Sequence, residues 1–194
     1  MIPHGAFDHL NDLEPVIPPE FSDSGKPVVA LAGLLRPYKG LDLLYEAWGD
    51  GIDDAQLWIA GMPRMELPPT PHGVQVVPRF LSDPELAGVL RRADVVVLPY
   101  REIDQSGVLF AALGLGRPLL LSDVGGFPEI AATGAARTFP SGDPVALRFE
   151  IEKLLDDAKA RQRLSKAATK IALSELSWDR VATDHIALYE DLLR

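Results

Sequence analysis

Apolar residues follow two alternating rhythms along this chain. Continuous apolar runs at VVALAG (28–33), AQLWIAG (55–61), VQVVPRF (74–80), DVVVLPY (94–100), RPLLLS (117–122) and AARTF (135–139) read as six strands. Runs without polar alternation belong to strands buried on both faces. Between them lie stretches with helical spacing. GLDLLYEAW (40–48) sets Leu41, Leu44, Tyr45 and Trp48 on one side. Ser82-Asp83-Pro84-Glu85 predicts a helix start, with a capping serine, an early proline and a glutamate at the third helical position, and the helix continues through ELAGVLRRA. A further helix opens on Ser106-Gly107. Beyond residue 140 the pattern is helical, in DPVALRFEIEKLLDD, AKARQRLSKAATKIAL and SWDRVATDHIALYEDLLR. The fold class expected is α/β: a Rossmann-like, doubly wound parallel sheet of about six strands with helices on both faces and a helical C-terminal segment.

Residues 1–26 break this rhythm. Pro3, Pro15, Pro18 and Pro19 and the lack of periodicity predict an extended linker ahead of a domain over 27–194. The 194 residues, 47% of them apolar, suffice for a sizeable core. The net charge of −9 and the lack of a Lys/Arg-rich run argue against a nucleic-acid binder. Any anion site must therefore be local. With no cysteine there is no disulfide scaffold, thiolate metal site or cysteine nucleophile. His4, His9, His72 and His185 have no metal spacing, so no metal is assigned. No apolar run reaches membrane-spanning length.

In a doubly wound sheet, ligands bind beyond the carboxyl ends of the strands, around the switch point in strand order. Arg36, Lys39, Gly61, Phe80, the 99–105 stretch and the 123–126 turn all follow strand ends, so one rim should gather them. Arg36 and Lys39 lie in GLLRPYKG, between Gly33 and Gly40. Ser106, Gly107, Val108 and Leu109 would present backbone N–H groups at the positive end of a helix. Together these features suggest a diphosphate clamp. The plainer readings are a solvated cationic turn for Arg36 and Lys39, and an ordinary N-cap for Ser106.

RPYKG, the IAG strand end, ELAGVLRRADVVVLPY, QSGVLF, GLGRPLLLSDVGG followed by PE, GDPVAL and the closing SW with its long helix, in this order and spacing, resemble the C-terminal, donor-binding half of GT-B glycosyltransferases of the GT4 ("group 1") type. The resemblance runs from about Pro27 to Arg194, and IPHG resembles the segment joining the two halves of such enzymes. It implies transfer of a sugar from a UDP- or GDP-sugar to an acceptor, with retention and with neither cofactor nor bound metal. It also implies a missing N-terminal half that reads the acceptor, so that the isolated domain is inactive.

By the same resemblance, Arg36 and Lys39 are catalytic, stabilising the leaving diphosphate. Gly33, Gly61, Phe80, Asp104, Gln105, Ser106, Gly107, Val108 and Leu109 bind the donor, with Pro78 and Arg79 near the base. Glu129 has a lesser claim to the cleft, and Asp123, Gly125 and Gly126 form a turn beside it. Two departures stand out. Relatives place the arginine five residues before the lysine, where this chain has Leu34. Relatives also carry two glutamates with seven residues between them, for sugar and ribose, where this chain has Ile103 and Ala111. Glu102 and Asp104 flank the first position. An alternative is therefore a non-catalytic binding module with an eroded donor site. Another GT-B enzyme class, or a phosphoacceptor domain, has less support. The setting expected is cytoplasmic, with peripheral membrane contact left open. The apolar stripe of the last helix could let an isolated domain dimerise or swap.

Overall fold

In the computed structural model, which describes residues 2–103 and 105–194, the apolar runs form one sheet of six parallel strands. These are β1 (Val28–Ala32), β2 (Gln56–Ala60), β3 (Gln75–Val77), β4 (Val95–Leu98), β5 (Leu119–Ser122) and β6 (Ala136–Phe139). Their order is β3-β2-β1-β4-β5-β6. β1 pairs with β2 from Val28↔Gln56 to Ala32↔Ala60, and with β4 at Val29↔Val95 and Ala30↔Val96. β1, β4 and β5 are buried along their whole length, as their unbroken apolar runs require.

Alternate residues of β1 enter separate cores, because successive strand side chains point to opposite faces. Val29 and Leu31 meet α1 (Leu41–Trp48) and α5 (Pro144–Asp156). Val28, Ala30 and Ala32 meet α2 (Asp83–Arg92) and α3 (Gly107–Gly114). α6 (Ala158–Ala172) serves both cores, through Leu164 on one side and Ala168 and Ile171 on the other. The doubly wound architecture is thus as its pattern predicts. β3 is shorter than the apolar run around it. GGFPE also starts a short helix, α4 (Phe127–Ala132), where the sequence suggests only a turn.

The lead-in departs from the expected extended linker. It packs along the domain, burying Ala6, Leu10 and Phe21 and forming a 3-10 turn at Asp8–Asp12. The Phe21 ring stacks on Trp58 at 4.4 Å and 5°. The Ala6 and Phe7 amides donate to the carbonyls of Leu176 and Phe110. Asp23 takes a bidentate bond from Arg92, and Glu20 one from Arg79. Single anchors at irregular spacing hold it, which is why periodicity misses it.

α7 (Trp178–Leu192) buries only Val181. Ile186, Leu188, Tyr189 and Leu192 are exposed, so most of the stripe predicted there faces outward. Among the described residues no helix is long and apolar enough to cross a membrane.

Candidate functional site

The strand order reverses between β1 and β4, and the crevice beyond their carboxyl ends is where such a sheet offers a site. From β1 the chain passes Gly33 and enters a 3-10 turn, Pro37–Lys39. From β4 it passes Pro99 and Tyr100 and reaches α3 at Ser106. Gly33 sits where these paths meet. A Cβ on it would lie 2.6 Å from Val108 Cγ2 and 3.3 Å from Lys39 Nζ. The backbone there has φ +96°, a conformation that favours glycine. Gly61, at φ +150°, lies against the Gly33 carbonyl and lets the end of β2 approach. Gly33, Gly61, Lys39 and Val108 therefore lie together at this rim.

Lys39 is 6% exposed, and its ammonium lies 5.0 Å from the centre of the Tyr100 ring. No carboxylate of the described residues forms a salt bridge with it. Burial, and then the nearby charge of Arg36, push its pKa down to about 8. Arg36 is exposed at the start of the same turn. Two like charges thus share a strand end in a chain of net charge −9.

Beside them α3 begins. Ser106 is buried and caps the helix, its Oγ accepting from the Leu109 amide at 3.2 Å. Leu109 therefore does not offer its N–H to a ligand in this structure, which corrects one donor of the proposed set. Gly107 and Val108 remain, as first-turn amides without an intrahelical acceptor. No acidic side chain occupies the first turn. The positive end of the helix dipole is thus unneutralised by its own residues.

One clamp was not foreseen. Arg101 grips Asp42 with two bonds, of 2.8 and 2.7 Å, and donates to the Pro37 carbonyl at 3.2 Å. Its own amide donates to the Tyr38 carbonyl at 2.7 Å. The hydrogen bond from Arg101 holds the Asp42 carboxyl below its usual range. The turn after β1 is thereby pinned to the loop after β4. The signal was an arginine directly after LPY and an aspartate two residues after the glycine that ends the turn, each unremarkable alone.

A cavity of about 450 Å³ opens at this crevice, and its described lining is Tyr38, Glu102, Ile103 and Gln105. Glu102 and Gln105 are exposed there and Ile103 is half-buried. Asp104, proposed for donor contact, lies outside the described residues. Ala111 is fully buried within the core. Gly125 abuts the Ile103 carbonyl, so the 123–126 turn borders the same loop. Asp123 accepts from the Ser141 amide, and Glu129 is exposed on the first turn of α4.

Phe80 is 66% exposed, so it is not a core residue, and it does not appear among the described lining of that cavity. Pro78 beside it is exposed. Arg79 is committed elsewhere. It bonds both Glu20 and Glu85, tying the lead-in to the start of α2, and so is not a free contact for a base. Among the described residues no cluster of His, Cys, Asp and Glu could hold a metal ion.

A sequence model of the family "Glycosyl transferases group 1" matches residues 26–157. Glycogen synthase of Mycobacterium tuberculosis is 31% identical over 166 residues, which are 84% of this chain and 38% of that protein. D-inositol 3-phosphate glycosyltransferase of Corynebacterium efficiens is 31% identical over 182 residues, 84% of this chain and 42% of that protein. The chain therefore spans less than half the length of these curated relatives. Among solved structures, a sucrose-phosphate synthase from Thermosynechococcus elongatus superposes with TM-score 0.81 at 22% identity, over 99% of this chain and 52% of that one. At these identities the structural likeness speaks to the fold.

Proposed function

The chain belongs to the glycosyl transferases group 1 family, with the fold of the C-terminal half of a GT-B enzyme, and on that premise we propose that its β1/β4 crevice binds the diphosphate of a nucleotide-sugar donor. One observation carries the reading: the buried Lys39 stands beside the open start of α3, with the Gly33 backbone between Lys39 and Val108. Lys39 and Arg36 meet the charge that develops on the departing diphosphate. Fixed positive groups lower the barrier most when they face charge that appears in the transition state. The Gly107 and Val108 amides bind phosphate oxygens, and Glu102 and Gln105 face the sugar. The proposal needs no metal. Anabaena HepE, solved with UDP-glucose, has this fold at TM-score 0.73 and 18% identity, which makes UDP one nucleotide to try.

In this reading the reaction is sugar transfer with retention, in the cytoplasm, and a second half supplies the acceptor site. The domain alone binds donor nucleotides weakly, with Kd about 0.1–10 mM from two charge-assisted contacts, and transfers nothing. The buried Ala111 favours one rival, a binding module whose ribose contact has eroded. Calorimetric titration with UDP, GDP and ADP separates the two. Donor binding predicts saturable heat with at least one nucleotide and a loss of roughly 10- to 150-fold in Lys39→Ala. No heat at millimolar nucleotide, or equal binding by the variant, contradicts it.

A further inference from the structure

Tyr100 lies beneath both halves of the proposed anion site, and no motif singles it out. It ends the LPY run after β4 and is fully buried. Its surroundings fix the ring on several sides. The Tyr38 ring meets it edge-on at 5.7 Å and 90°, and Phe127 lies at 5.5 Å and 45°. The Ser122 and Ser141 hydroxyls both donate to its carbonyl, at 2.6 and 3.3 Å. The main chain is thus pinned, and the ring is packed against two aromatic neighbours. Its face carries the Lys39 ammonium, 5.0 Å from the centroid, within cation–π range. Its hydroxyl lies 3.4 Å from Ser106 Oγ, a loose contact to the group that caps α3.

We propose that Tyr100 is a positioning residue that holds Lys39 and the capped start of α3 in one geometry for a nucleotide diphosphate, an inference that rests on the donor-binding reading above. The ring face does the larger share of the work. A lysine has four rotatable bonds to its charge, and a buried one with no salt bridge among the described residues needs something to hold it on target. The quadrupole of the Tyr100 face does this without neutralising the charge, so Lys39 keeps its full attraction for phosphate. The hydroxyl steadies Ser106, whose Oγ occupies the Leu109 amide and leaves Gly107 and Val108 as the donors. Burial keeps the phenol protonated and raises its pKa, so the platform remains neutral.

The test uses the full chain labelled with lysine ¹³C at the ε-carbon, with UDP, GDP and ADP as probes. In the wild type, the Lys39 ε-methylene should resonate upfield of the other lysines, shielded by the ring face. Tyr100→Phe keeps that shift and weakens nucleotide binding about 2- to 4-fold, with faster hydrogen exchange at the Leu109 amide. Tyr100→Leu abolishes the shift and weakens binding roughly 5- to 30-fold, as expected for a partly desolvated cation–π contact. An unshifted Lys39 signal in the wild type overturns the proposal even if Tyr100→Leu does not fold. So does undiminished affinity in a folded Tyr100→Leu domain. If nucleotide binds, Lys39→Ala loses it and Tyr100→Leu does not, the donor site stands and only the role of Tyr100 falls. If none of UDP, GDP and ADP binds the wild type, the donor reading fails and this inference with it.

Discussion

Helices α2 and α3 both begin on a serine, both lie on the same face of the sheet, and their first turns are finished in opposite ways. At α2 the Glu85 carboxylate accepts from the Ser82 backbone N–H and from its hydroxyl, each at 2.9 Å, and Arg79 clasps Glu85 from outside. Arg79 foremost, then the Ser82 bonds, hold the Glu85 carboxyl down at about 2. That start carries its own anion. At α3 Ser106 satisfies one amide, the first turn has no acidic residue, and a buried lysine stands nearby in place of a carboxylate. The difference is the one between a helix end closed by its own carboxylate and one whose first turn carries none, as the proposed anion site requires. Capping alone does not distinguish them. The sign of the neighbouring charge does.

Exchanging the two finishes sharpens this comparison most. Gly107→Asp puts a carboxylate on the first turn of α3, where a Cβ meets only the Phe7 ring at 3.5 Å. It should weaken nucleotide binding about 10-fold or more in calorimetry, since the new charge repels phosphate while favouring the helix by about 0.3–1 kcal/mol. Glu85→Gln opens α2 in the opposite sense. It should lower the melting temperature by a few degrees, for a loss of about 1 kcal/mol, and create no nucleotide binding. Binding that survives Gly107→Asp intact would show that the start of α3 is not the anion site.

The smaller effect follows from the pKa of Lys39. In the free domain this lysine is charged below about pH 8 and neutral above it. Nucleotide affinity should fall up to about 10-fold between pH 7 and pH 9 and lose that dependence in Lys39→Ala. Stability runs the other way. The folded value of about 8 lies below the ordinary lysine value of 10.5, so the unfolded chain binds more protons between them and stability rises with pH across that window. At pH 7 the charged lysine is a cost. Lys39→Met should raise stability there by about 1–3 kcal/mol, a trade of function against stability that thermal melts at pH 7 and pH 10 would reveal.

What the chain discloses in advance divides along similar lines. Buried parallel strands and capped helices are local patterns, so β1, β4, β5 and the start of α2 can be read from a few residues each. The topology of a doubly wound sheet foretells the rim where Gly33, Lys39 and Val108 meet. Contacts made by single residues far apart in sequence leave no such trace. The lead-in is held by Phe21 on Trp58 and by Glu20 and Asp23 on two arginines, none of it periodic. Arg79 looks available from its strand end, yet its charge is taken by Glu20 and Glu85. The Arg101–Asp42 clamp spans 59 residues, and the place of Tyr100 under Lys39 depends on two loops folding together. Leu109 looks like a ligand donor until the geometry of the Ser106 side chain is known.

The most direct measurement is an amide NMR titration of the ¹⁵N-labelled domain with UDP and GDP, comparing the two helix starts within one spectrum. The account predicts that Gly107 and Val108 shift strongly, Leu109 less, and Asp83 and Glu85 not at all, with the α3 response lost in Lys39→Ala. Saturable binding that leaves Gly107 and Val108 unmoved, or that moves the two helix starts alike, would contradict it.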